Sequence, residues 1–260
     1  MRSLAIAVLT ALLTGVATAS EDETAPEAPV VAPSVNVTGR TLARVQTAPM
    51  RVEMTISVEA RGITVGEGRD VFEHDRDTYR VESEARTTGI ARLLKRVDEK
   101  RESRGLVGGS GIQPLVYRQE RTGKASKVAT FDWDARKLTL QEGNDREVVD
   151  LPPFTLDQTS LTYAFVFVEP PRSGRFPVQV TDGRRLVEYD VAFVARERIK
   201  SALGDLDTLH YKKVQRADDK RGFEFWLSIA HHHLPVRVRI VEKDGTAFDS
   251  NVTKLEFDGR

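Results

Sequence analysis

The sequence predicts a mainly β protein, a single curved antiparallel sheet or half-barrel with one or two short helices packed on it. Three observations carry this expectation. Apolar and polar residues alternate in many short runs, the mark of half-buried strands. Turn-forming clusters separate those runs at hairpin spacing. Only two stretches show helical spacing, which argues against βαβ units and a parallel sheet.

Residues 1–19, MRSLAIAVLTALLTGVATA, combine one cation (Arg2), an apolar run from Leu4 to Val16, and small residues at Ala17 and Ala19. This is the grammar of a cleaved secretory signal peptide. As a membrane span the run falls short of the ~20 apolar residues a bilayer core requires. Residues 20–48 are rich in Ala, Pro, Thr and acid and read as a flexible leader. Residues 49–260 read as one β-rich domain without a solenoid repeat.

The first strand is MRVEMTISVEA (50–60), where Met50, Val52, Met54, Ile56 and Val58 alternate with polar residues. VGEGRDVFEH (65–74) and DTYRVESEART (77–87) continue the pattern. GIARLLKRVDEKRESRG (89–105) places Ile90, Leu93, Leu94 and Val97 at helical spacing, although its second half also fits a polar strand. QPLVYRQER (113–121), KVATFDWD (127–134) and KLTLQEG (137–143) are strands again. In residues 153–171, Asp157 can cap a helical turn. Leu161, Ala164, Phe165 and Val168 then share a face, and Pro170-Pro171 ends the helix. RFPVQV (175–180), LVEYDVAFV (186–194), DTLHYKKVQ (207–215), GFEFWLSI (222–229), LPVRVRIV (234–241) and NVTKLEF (251–257) complete the strands.

Thirty-nine basic residues balance 39 acidic ones, and cleavage after Ala19 removes only Arg2, leaving a formal charge of −1. Such a chain has no long-range field to steer nucleic acid or anionic headgroups. It has no cysteine, so neither disulfides nor a thiol-linked lipid anchor is available and the fold must rest on burial.

His231, His232 and His233 are consecutive. Zinc ligands need spacings that let rings converge, and no third ligand accompanies His231 and His233, so the three read as a hairpin link between two strands. Paired carboxylates such as Asp132 and Asp134 are expected by composition alone in a chain that is 30% charged. The stretch GGSG (108–111) lacks the strand-turn-helix setting of a nucleophile elbow, and no phosphate loop, GxGxxG or CxxC occurs. Lys95 to Arg104 mixes both charges and reads as a solvated face. The expectation is a non-enzymatic protein with no catalytic residue, metal, cofactor or nucleic-acid partner.

Aromatic residues are the remaining lead. Trp226 sits out of phase with Phe225 and Leu227, so its strand carries apolar surface on both faces, which a helix, a protein or a ligand must cover. Arg237 has the same phase on the next strand and can lie over the indole in a cation-π contact. Tyr163, Phe167, Trp226 and Arg237 are the ligand-lining candidates.

The C-terminal half resembles an exported bacterial family of unknown function, DUF3108. The likeness rests on Asp157-x-x-Ser160-x-x-Tyr163, on Gly204-x-x-x-Thr208-Leu209, and on Trp226-Leu227-Ser228 leading to Leu234-Pro235-Val236-Arg237. The resemblance implies a periplasmic or secreted, mostly antiparallel β protein without known enzymatic activity. It also implies a variable loop before Leu234, of which three histidines are one filling. At the level of fold alone, such a sheet resembles the half-barrels of lipoprotein carriers. The expected function is therefore an exported, non-enzymatic envelope protein that binds a hydrophobic or lipid ligand. An adaptor for a periplasmic protein partner is the alternative, and a metal-binding or hydrolytic role the least favoured reading.

Overall fold

In β1 (Arg51–Ala60) every second side chain, Val52, Met54, Ile56 and Val58, is fully buried, as the alternation predicts. Each such burial stabilises by about 1.5–3 kcal/mol relative to exposure. The structure, a computed structural model, describes residues 48–108, 111–217, 219 and 221–258. The expected signal peptide (1–19) and the leader up to residue 47 lie outside the described residues.

On one side of β1 the chain meanders through β2 (Ile63–His74), β3 (Thr78–Thr87), β4 (Asp98–Gly108), β5 (Gly111–Arg121), β6 (Lys127–Asp132), β7 (Lys137–Glu142) and β8 (Asp145–Asp150). On its other side lies β15 (Ala247–Phe257), then β14 (Pro235–Glu242), β13 (Arg221–Ser228) and β12 (Gly204–Lys213). That arm continues through β11 (Leu186–Ser201) and β10 (Arg175–Thr181) to β9 (Leu156–Asp157), which runs parallel to β10. The result is one open, curved, 15-stranded sheet, antiparallel apart from β9–β10. This is the half-barrel that the sequence predicts.

Curvature brings the β10–β11 turn back onto β5–β7. Gln141 N donates to Gly183 O at 3.1 Å, and Lys127 Nζ pairs with Asp182 at 3.2 Å in a largely buried contact. Gly183 has φ +83°, and a Cβ there would stand 3.0 Å from Lys127 Cβ, so the docking turn needs glycine.

The concave side is crossed by a strap, residues 152–171, containing a 3-10 turn (Ser160–Tyr163) and α2 (Ala164–Phe167). The continuous helix expected after Asp157 is thus reduced to two short turns. The strap is packed from two sides: Tyr163, Val166 and Phe167 are buried, and Leu161 and Phe165 are half-buried on another face. A single helical stripe cannot serve both.

The helix expected over 89–105 is corrected to α1 (Gly89–Leu94), and the rest of that stretch belongs to β4. Thr87 N donates to Val97 O and Val97 N to Thr87 Oγ1, which closes the segment into a hairpin. Ile90, Leu93 and Leu94 are exposed and only Ala91 is buried. The polar strand was hard to see because its inward residues include Glu99, Arg101 and Ser103, so the expected solvated face is solvated only on alternate residues. Strand β8 was not anticipated, and β11 continues past Val194 to Ser201 through a bulge. No helix among the described residues is long and apolar enough to cross a membrane.

Candidate functional site

The strap enters through Asp157, fully buried at the start of the 3-10 turn. Its Oδ1 accepts from the backbone N–H groups of Thr159 and Ser160, both at 2.8 Å, and its Oδ2 from Ser103 Oγ at 2.6 Å. Ser103 Oγ lies 2.8 Å from Tyr79 Oη. Burial pushes the Asp157 carboxyl above the ordinary aspartate value, opposed by these hydrogen bonds. The far end of the strap is held by Tyr211, whose hydroxyl donates to Pro171 O at 2.7 Å.

Between the strap and β10–β14 lies an apolar cleft with an internal cavity of about 60 Å³. Leu161 and Phe165 form its strap side, and Val180, Val191, Phe225 and Leu227 belong to its sheet side. The lining is mostly apolar, with Gln158, Thr162 and Tyr189 its polar members, so the space favours hydrocarbon.

Beside the cleft, a buried polar row crosses the otherwise apolar inner face of β2–β6. Register places Asp70, Ser83, Arg101, Gln119 and Lys127 in one cross-strand row. Arg101 pairs with Glu99, and Gln119 Nε2 donates to Glu99 at 2.7 Å. Burial raises the Asp70 carboxyl to about 6, opposed by a hydrogen bond from Ser83 and the charge of Arg101. Asp70 Oδ1, Arg101 Nε and Nη1, and Tyr163 Oη are buried without a protein hydrogen-bond partner. Sequence reasoning missed this row, since each member arrives as an isolated polar residue in an alternating strand.

The four ligand-lining candidates fall on two faces, and none lines the 60 Å³ cavity. Tyr163 and Phe167 lie inside, where Tyr163 stacks on Phe72 at 4.5 Å and Phe167 packs against Phe72 and His74. Trp226 and Arg237 lie on the convex side. There the indole stacks on His210 at 4.3 Å, Arg237 stands 5.0 Å from its ring centre, and Nε1 donates to Glu197 at 2.5 Å. Trp226 is only 5% exposed, so its apolar surface is covered by its own chain, with Leu206 and Val236 beneath. The cation-π contact read from the alternation is present. Val236 departs from the expected core phase because a bulge between Trp226 and Leu227 turns it to the convex face. Arg237 and Arg239 converge on Asp249 at 2.8 and 2.9 Å. Burial raises the Asp249 carboxyl, but the two guanidinium groups outweigh it and hold the group below the ordinary value.

His231, His232 and His233 form the β13–β14 connection, with His232 and His233 at φ +52° and +57°. His231 Nδ1 lies 2.8 Å from Ser228 Oγ, and His232 packs edge-on against Phe257. Burial holds the His231 and His233 rings below the usual histidine value. Among the described residues no three His, Asp or Glu side chains are grouped to hold a metal ion.

The family profile described as "Protein of unknown function (DUF3108)" matches residues 51–251, and the chain belongs to that family. No curated protein matches the sequence. Among solved structures, the chain is similar to a β-barrel-like protein of the DUF1849 family from Brucella abortus. That match has 11% identity, covers 82% of this chain and 100% of that one, and has a TM-score of 0.49. It is also similar to the MucA/MucB complex structure from Pseudomonas aeruginosa, at 12% identity, 80% and 52% coverage, and a TM-score of 0.29.

Proposed function

We propose that this DUF3108 protein is an exported, non-enzymatic envelope protein, periplasmic or secreted, that binds a hydrophobic or lipid ligand under its strap. The observation that carries the reading is the cleft, walled by apolar side chains on strap and sheet and holding an unfilled 60 Å³ volume. The secretory grammar of residues 1–19 supports the location. An adaptor role would use an uncovered apolar face, and the Trp226 face is covered by the chain itself. The test is to express the protein in its exporting host, extract it with organic solvent and identify released lipids by mass spectrometry. A defined lipid class should accompany wild type at near-stoichiometric amounts and fall in a Phe165→Asp variant. Wild type free of lipid, together with no uptake of a fluorescent fatty acid, would overturn the reading.

A further inference from the structure

Among the described residues, four of the exposed large apolar side chains share one end of the sheet, while others, such as Met50 and Phe154, stand apart. In α1, Ile90, Leu93 and Leu94 are 65%, 86% and 75% exposed, and Ile63, 59% exposed, opens the neighbouring β2. The two elements are joined by a hydrogen bond from Thr88 N to Val65 O, and Gly89 sits against Thr64. Four isolated exposed residues would need no explanation, but here they share a tip. Nothing in the fold draws them inward, because the single buried residue of α1 is Ala91.

The charge around this tip differs from that of the whole chain. Between Glu84 and Asp98 there is no acidic residue, while Arg86, Arg92, Lys95 and Arg96 are all basic, and Arg61 stands in the adjoining β1–β2 turn. Asp98 at the base of the tip pairs with Arg92 at 3.3 Å and Arg96 at 2.8 Å, and Glu67 pairs with Arg86. Arg61 and Lys95 point into solvent beside the apolar residues. Net neutrality over 260 residues thus conceals a local excess of cations.

We propose that the α1 tip, with Ile63, docks the protein on an anionic phospholipid surface. Ile90, Leu93 and Leu94 enter the headgroup boundary, and Arg61, Lys95, Arg92 and Arg96 meet the phosphates. A short apolar tip ringed by Arg and Lys matches this occupant: apolar burial and anionic attraction add, at about 1 kcal/mol per cation near the surface. Docking there does not depend on a ligand in the cleft.

The experiment is flotation of the purified protein with phosphatidylcholine vesicles, with and without phosphatidylglycerol, at low and high salt. Wild type should float with the phosphatidylglycerol vesicles, and salt should weaken it. A Leu93→Asp/Leu94→Asp variant, altered only at exposed positions and checked for an unchanged melting temperature, should lose at least about tenfold in apparent affinity. Arg61→Glu/Lys95→Glu should remove the preference for phosphatidylglycerol. Equal flotation of wild type and the leucine variant would overturn the proposal. So would a wild type that ignores vesicles but forms a dimer that the leucine variant splits, since the tip would then serve a second copy. The lipid-extraction experiment reads the cleft alone, so the two readings fail separately.

Discussion

The two arms of the sheet differ in what they present to the same strap, since only one of them carries a buried polar row among its apolar residues. Under β2–β6 the concave face carries a row of polar side chains, from Asp70 through Ser83 and Arg101 to Gln119 and Lys127. Under β10–β14 it carries Val180, Val191, Phe225 and Leu227. Along the strap, Asp157 and Gln158 bond toward the polar row, while Leu161 and Phe165 cover the apolar cleft. Hydrogen bonds have direction and apolar contact does not. The polar arm therefore fixes the strap's entry at Asp157, Tyr211 holds its far end, and the apolar arm leaves room between.

Perturbing each arm should break this division in different ways. Leu227→Ala removes a fully buried wall of the cleft and should cost about 4 kcal/mol in urea unfolding, within the range for such truncations. The enlarged cavity should also take up a small apolar probe such as iodobenzene, seen as a ligand-dependent rise in melting temperature. Asp157→Ala leaves two backbone donors and Ser103 without their acceptor, so it should cost about 3 kcal/mol and roughly 6–12 °C in melting temperature. Its particular signature is a loosened strap, read as faster hydrogen exchange over 158–167 with the exchange of β12–β14 unchanged. If both regions accelerate together, the strap is not set by the polar arm.

Asp70 supplies a pH test of the polar arm. Its folded value is raised from 3.8 to about 6, so between those values the folded state holds a proton that the unfolded chain has released. Stability from this group is full below the unfolded value and is lost as pH rises toward 6. Relative to Asp70→Asn, which lacks the titration, wild type should lose about 2–3 kcal/mol of unfolding free energy from about pH 4 to about pH 7. Parallel curves for the two proteins would remove Asp70 from the buried set. The smallest effect belongs to the convex face. Arg237→Ala removes the cation over Trp226 but leaves Arg239 on Asp249, so about 1 kcal/mol is expected together with a shift in indole emission.

The apolar arm was legible in the sequence because period-2 alternation of Val, Phe and Leu in β13 and β14 announces both strand and buried face. The polar arm was legible as strands but not as a site. Ser83, Arg101 and Gln119 become neighbours only through register, which no single strand encodes. The same limit explains α1, where Ile90, Leu93 and Leu94 mimic a core-facing helix until Val97 is seen to pair back to Thr87. Trp226 marks a middle case. Its phase showed that something must cover it, and the cation-π partner was named, but His210 arrives from a strand whose register with β13 was unknown.

The seam between β1 and β15 has a consequence for how the chain folds. Every other neighbouring pair in the sheet joins strands adjacent in sequence, so each arm can assemble from local turns as it is made. The seam alone links the beginning of the domain to its end, and closing so long a loop carries the largest entropic cost of any pairing in the fold. Until β15 is available, β1 has an open edge, and the two arms meet only where the β10–β11 turn and the strap dock on the first arm. The sheet therefore cannot be completed before its last strand has been synthesised, however early the first strand appears.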